Sequence, residues 1–232
     1  VETEENERSE FDVKRFIDYP GLPLLLEVFN PDSKRVVILS HGFLSSKNSP
    51  ALISCSLALS RAGICSVRFN YATEDINERV AKLKAVINYY KQQGCVIGLV
   101  GDSLGGMTSI IVSKDKSVKS MALINSVYNQ DEVFINYSKH HRFLARLFTP
   151  EMLKNMGSHD LKGIVKRLKK PVLVISSELD RIVDNKITRE LYSDIKSEKK
   201  LVLLRNATHG IWRANHIKRV REAVKDWFSK TL

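Results

Sequence analysis

An apolar run, Val96-Ile97-Gly98-Leu99-Val100, leads directly into Gly101-Asp102-Ser103-Leu104-Gly105, and a mostly apolar segment, Met107 to Val112, follows. A strand, then Gly-x-Ser-x-Gly, then a helix is an order that few folds accommodate. The turn is so tight that side chains at its corners would clash, so Gly101 and Gly105 leave room. Ser103 is then held in a strained conformation with its hydroxyl above the sheet, a candidate nucleophile. The next N–H, that of Leu104, opens the helix and is a candidate oxyanion donor.

The rest of the chain alternates in the same way. Phe11 to Tyr19, with Val13, Phe16 and Ile17 apolar, and Leu24 to Phe29, separated by the turn signal Tyr19-Pro20-Gly21, predict an opening hairpin. Val36 to Ser40 is continuously apolar and predicts a central strand covered on both faces. Ile64 to Phe69, Ser120 to Val127, Pro171 to Ser176 and Lys200 to Leu204 predict further strands. Helical spacing marks 50–62, 76–93, 185–195 and 216–230, with Asp75 or Asn77 as a cap for the second of these. Strands alternating with helices predict an α/β fold, a mostly parallel sheet with helices on both faces. The length of 232 residues suits one domain over 11–232, preceded by a flexible acidic segment, residues 1–10.

Residues 128–168 interrupt the alternation. Phe134, Tyr137, His141, Leu144 and Phe148 step by three or four along one face, with Lys139, Arg142 and Arg146 on the rest. Two readings fit. One is a crossover helix packed on the sheet. The other is a small helical cap-like insert over the site, whose Phe134, Tyr137, Leu144 and Phe148 contact substrate.

A serine hydroxyl needs a base. Of six histidines, His209 lies in a loop directly after the last strand, where a base belongs. His41 sits in a His-Gly turn and reads as structural, His140, His141 and His159 fall in the insert, and His216 opens the terminal helix and reads as solvated. The base needs an acid to hold its tautomer. Asp180, just past a strand end, is favoured over Glu178 and Asp184. After the central strand, Gly42 permits a bend that aims the Phe43 N–H inward as a second oxyanion donor.

With these motifs in place, the sequence resembles the α/β-hydrolase superfamily of serine hydrolases. The resemblance rests on His41-Gly42-Phe43, Gly101-Asp102-Ser103-Leu104-Gly105, the loop with Asp180 and Val183, and Ala207-Thr208-His209-Gly210, in the order Ser, Asp, His. Within the superfamily it is most similar to small esterases, monoglyceride-lipase-like enzymes and serine-aminopeptidase-like members. The resemblance implies a carboxylesterase that cleaves an ester of a small or medium acyl group through an acyl-serine, with no cofactor. Thioesterase, lysophospholipase and peptidase chemistry use the same triad, and a ligand-sensing receptor of the same fold with slow turnover is a further alternative. Many relatives carry an Asp and a Gly-x-Gly-x-Ser turn where this chain has Asn70-Tyr71-Ala72-Thr73-Glu74-Asp75, so the loop bordering the site differs from theirs.

Charge bears on partners. The net charge is +11 although residues 1–12 hold six acids and one base, so the rest of the chain is strongly cationic. That reads either as a lysine-rich surface or as attraction to anionic partners such as phospholipid or acyl-CoA; beside the small-molecule acyl ester that the resemblance implies, it favours an anionic substrate and peripheral contact with anionic lipid, and no motif accompanies it that would bind nucleic acid. No apolar run reaches the ~20 residues of an integral membrane helix. Cys55, Cys65 and Cys95 show no ligand spacing, so no metal is expected, and they read as reduced and mostly buried. A cytoplasmic location is the expectation, with the start at Val1 leaving room for an upstream segment. The oligomeric state is left open.

Overall fold

A computed structural model describes residues 12–20 and 23–232 of the chain. The acidic segment 1–10 lies outside the described residues, as do Phe11 of the first expected strand and Gly21 of the expected turn. The strands are β1 (Val13–Ile17), β2 (Leu24–Phe29), β3 (Arg35–Ser40), β4 (Cys65–Phe69), β5 (Val96–Asp102), β6 (Val118–Ile124), β7 (Val172–Ser177) and β8 (Lys199–Leu204). They form one sheet in the order β1-β2-β4-β3-β5-β6-β7-β8. The β1–β2 hairpin and the β2–β4 pairing are antiparallel, and the pairings from β4 through β8 are parallel.

The helices are α1 (Pro50–Arg61), α2 (Ile76–Gln92), α3 (Leu104–Val112), α4 (Gln130–His140), α5 (Arg142–Ala145), α6 (Pro150–Gly157), α7 (Leu161–Lys166), α8 (Asn185–Asp194) and α9 (Ala214–Thr231). Period-2 alternation splits the strands between two cores. Val36 and Ile38 face a core shared with α2, α3, α7 and α8, while Val37 and Leu39 face one built with α1 and α9. Central strands with both faces covered have no polar side, which explains their unbroken apolar runs. Asp75 caps α2 by accepting from the Asn77 and Glu78 N–H groups, the first of the two caps expected.

The insert between β6 and β7 is not one continuous helix. Its pattern breaks at His141 (φ −136°, ψ 54°), which separates α4 from α5. The break lets the chain double back, and Phe148 stacks on Phe43 with ring centroids 4.4 Å apart. Phe134 and Tyr137 meet Phe148 edge-on, at 5.7 and 5.3 Å. Leu144 stays half-buried on α5, outside this ring cluster. Contact among these four half-buried rings offsets hydrogen bonds that an unbroken helix would add.

Candidate active site

Six non-glycine residues have positive φ among the described residues, and Leu44, Ala72, Ser103, Asn125 and Asn206 each follow a strand of the parallel sheet. Backbone strain concentrates where a functional site has to be shaped, and in open parallel sheets that is the carboxyl edge. Ser103 has φ 51° and ψ −116°, which costs on the order of 1–3 kcal/mol. It is held by its surroundings. Its N–H donates to the Ile124 carbonyl at 2.9 Å, and its own carbonyl accepts from Gly106 at 2.9 Å and Val127 at 3.2 Å. A Cβ on Gly101 would collide with the Gly106 backbone, and one on Gly105 with the Ser40 and His41 carbonyls.

Three chain segments meet at this serine. The Ser103 Oγ lies 3.0 Å from His209 Nε2, and His209 Nδ1 lies 2.7 Å from Asp180 Oδ2. The other carboxylate oxygen of Asp180 accepts from the Ile182 and Val183 N–H groups, at 2.8 and 3.0 Å. This arrangement makes Nδ1 the protonated nitrogen and leaves the Nε2 lone pair for the serine proton. Glu178 instead accepts from the Asn206 N–H, and Asp184 caps α8.

Burial works against a charge on His209, but the Asp180 hydrogen bond and charge, with Asp102 behind them, prevail and leave its pKa raised above the usual histidine value. Asp102 lines the same cleft as Ser103. Burial pushes its carboxyl up to about 6; the His209 charge pulls it back and Asp180 raises it further.

The N–H groups of Phe43 and Leu104 have no protein acceptor among the described residues. The Phe43 loop lies against the serine, since a Cβ on Gly42 would come within 3.1 Å of the Ser103 Cβ. His41 anchors this loop. Its Nδ1 donates to the Gly42 carbonyl at 2.9 Å and its Nε2 accepts from the Tyr71 N–H at 3.2 Å. Its pKa is pushed down to about 4 by burial and by the Arg79 charge.

Three supporting residues carried no sequence signal. Arg79, fully buried on α2, donates to the His41 carbonyl, to the Thr73 carbonyl at 3.2 Å and to Glu74 at 3.2 Å, with its guanidinium 4.0 Å above the Tyr71 ring. Glu74 accepts from the Leu44 N–H at 3.0 Å. Residues 70–75, with Arg79, therefore brace the Phe43 loop. Asn125 is the third, at the end of β6. His216 differs from expectation: it is buried, and its Nε2 donates to the Arg205 carbonyl at 3.1 Å.

The serine opens into a cleft of about 600 Å³ lined by Phe43, Asp102, Tyr137, His209 and Trp212 among others. A second cleft of about 700 Å³ runs past Asp180 and His209 to His140 and His141. Among the described residues no group of three His, Cys, Asp or Glu side chains is placed to hold a metal ion, and no helix is long and apolar enough to cross a membrane.

The model of a family described as Uncharacterised protein family (UPF0227) matches residues 36–223. The chain belongs to that family. Ser103, Asp180 and His209 all fall within the matched span. Among solved structures the chain is similar to Est1E from Butyrivibrio proteoclasticus, with 20% identity and a TM-score of 0.79 over 94% of this chain and 98% of that one. It is also similar to the Pyrococcus furiosus esterase Pf2001, with 19% identity and a TM-score of 0.75 over 94% and 92% of the two chains. A third is XC6422 from Xanthomonas campestris, described as an α/β serine hydrolase without lid, with 18% identity and a TM-score of 0.70 over 94% of each chain. The family member described here thus has the α/β-hydrolase fold.

Proposed function

We propose that the chain is a serine hydrolase that cleaves a carboxylic ester of a small or medium acyl group through an acyl-serine intermediate. The observation that carries this reading is the Ser103–His209–Asp180 relay, at 3.0 and 2.7 Å, beside two unengaged N–H groups. The names of the similar structures, two of them esterases, point the same way.

In this reading His209 Nε2 takes the proton as the Ser103 Oγ attacks the ester carbonyl. The Phe43 and Leu104 N–H groups stabilise the oxygen that becomes negative, and Asp180 stabilises the imidazolium. His209 returns its proton to the leaving alcohol, the carbon–oxygen bond breaks, and the acyl group stays on Ser103. Water then enters and loses a proton to His209 as its oxygen attacks the acyl carbon; the bond from that carbon to the Ser103 Oγ breaks, His209 returns the proton to the Oγ, and the acid leaves. Residues 128–168 act as a cap, with Tyr137, Phe148 and Phe134 forming an aromatic wall for the acyl chain together with Phe43.

The test is labelling by a fluorophosphonate together with hydrolysis of p-nitrophenyl esters of rising chain length, an acyl-CoA and an aminoacyl amide. The reading expects stoichiometric labelling lost in Ser103→Ala, turnover of the best ester above about 1 s⁻¹, and a kcat loss on the order of 10⁶ in that variant. Labelling at another serine would overturn it. Preference for the thioester or the amide would reassign the substrate, and labelling with negligible turnover throughout would favour a receptor.

A further inference from the structure

Between Val133 and Pro150 the chain has no acidic residue, but it has Lys139, Arg142 and Arg146. The structure places all three, exposed, at the corner where α4 gives way to α5. None of them pairs with an acid among the described residues, whereas Lys186 and Lys162 nearby pair with Glu132 and Glu190. Beside these cations stand Phe143, 76% exposed, and Leu147, 47% exposed. Phe143 directly follows Arg142 and Leu147 directly follows Arg146, so each of these exposed apolar side chains adjoins an exposed cation in the chain. The opposite side of the corner, through Phe148, is already packed on Phe43. Packing within the chain therefore does not account for Phe143 and Leu147.

The corner also adjoins the candidate site. His140 and His141 line the cleft that reaches Asp180 and His209. Leu179, 51% exposed, borders that cleft, and Trp212, 73% exposed, borders the neighbouring cleft that holds Ser103. Unpaired cations beside exposed apolar side chains match a surface that is negative outside and apolar just beneath. A tryptophan at the rim matches the boundary between the two. The cationic excess of the whole chain attracts it to the same surface before contact.

We propose that the α4–α5 corner docks on an anionic lipid surface and that the candidate site draws its ester substrate, an amphiphile, from that surface. The substrate half rests on the proposed hydrolase reading, and the docking half does not.

The experiment uses Ser103→Ala protein, so that vesicles stay intact. Co-sedimentation is measured with vesicles of phosphatidylcholine alone and with added phosphatidylglycerol, at low and high salt. The proposal expects binding to the anionic vesicles that weakens with salt. Changing Lys139, Arg142 and Arg146 together to Gln should weaken it roughly 100-fold, about a factor of five per cation. Phe143→Ser with Leu147→Ser should weaken it further while leaving hydrolysis of a short water-soluble ester by the Ser103 protein unchanged. Thermal melting of the surface variants should match that of their parent.

Equal binding of parent and variants would overturn the proposal. So would tighter retention by soluble heparin that ignores Phe143 and Leu147, or a dimer in sedimentation velocity that the Phe143 change dissolves. Absent vesicle binding with intact fluorophosphonate labelling sinks only the docking surface. Vesicle binding with no labelling of Ser103 sinks only the hydrolase reading.

Discussion

Asn125 donates through its side-chain amide to the carbonyl oxygen of His209 at 3.0 Å. The same amide nitrogen donates to the Ser177 hydroxyl at 3.0 Å, and its oxygen accepts from the Ser177 N–H at 2.8 Å. One buried side chain at the end of β6 thus spans the end of β7, three residues before Asp180, and the loop that carries the base. We infer a positioning role. Asn125→Ala leaves the His209 carbonyl and the Ser177 N–H without these partners, at about 1–3 kcal/mol for each buried group. The expected result is a kcat loss of roughly 10- to 100-fold at similar KM, in line with the sensitivity of such sites to small displacements. Asn125→Asp keeps the acceptor half but turns a carboxylate towards a carbonyl, so fluorophosphonate labelling should be slower than in the Ala variant. A lowered melting temperature with unchanged labelling would make Asn125 purely structural.

The pH profile should report His209. The ring must be neutral to act as base, so kcat/KM is low in acid and rises as pH passes its pKa. Because that pKa is raised, the rise should come above the ordinary histidine value. Asp102 contributes to this, and its own carboxyl titrates at about 6, so the two groups give coupled apparent values. Asp102→Asn removes a negative charge near the ring, lowers the His209 pKa and should move the rise to lower pH. Asp180→Asn removes the charge and turns an amide N–H towards Nδ1 in place of the accepting carboxylate, which favours the wrong tautomer, so it should move the rise in the same direction and lower kcat by about 10⁴. An unmoved profile in Asp102→Asn would refute the coupling.

His41 should make the fold acid-sensitive. Its folded pKa of about 4 lies below the ordinary histidine value of 6.5, so between these values the unfolded chain binds a proton that the folded chain does not. Stability is therefore full above pH 6.5 and falls as pH drops towards 4, by up to roughly 3 kcal/mol. Urea unfolding at pH 7.5 and at pH 4.5 measures the difference. His41→Gln should lower stability overall but shrink this contribution.

The strands themselves, the opening hairpin and the three residues that meet at the serine were legible because each depends on local pattern: an apolar run ending in a turn, or an acid or histidine just past a strand. What was not legible depends on contacts between distant segments. Asn125 is an unremarkable polar residue until β7 and the His209 loop, 52 and 84 positions away, are brought to it. His216 looked solvated from its place in the first turn of a helix, and only the Arg205 carbonyl beside it explains its burial. The aromatic spacing of the insert suggested one continuous face, whereas the rings gather by folding back at His141. Arg79 was hidden in the same way, since an arginine on an amphipathic helix ordinarily faces water.

That arginine supports the last prediction. Its guanidinium serves the His41 and Thr73 carbonyls and the Glu74 carboxylate, while Glu74 holds the Leu44 N–H. Together they fix both sides of Phe43, whose N–H is the proposed second oxyanion donor. Burial lowers the Arg79 pKa in spite of the nearby Tyr71 and Glu74, and the guanidinium, which stays protonated in proteins, carries that desolvation cost. Arg79→Lys keeps a charge but loses the planar fork and the stacking on Tyr71, and one ammonium cannot reach all three acceptors with the same geometry. The Phe43 loop should then loosen. Losing one oxyanion donor costs about 10²–10³ in kcat, so a loosened donor should cost up to about 10². The His209 rise in the pH profile should stay where it is, because the relay is untouched. Thermal melting and the pH dependence of kcat/KM, measured together, decide the matter. A large fall in melting temperature with kcat unchanged at 25 °C would make Arg79 a brace of the fold alone, and a displaced pH rise would mean that the change had reached the relay.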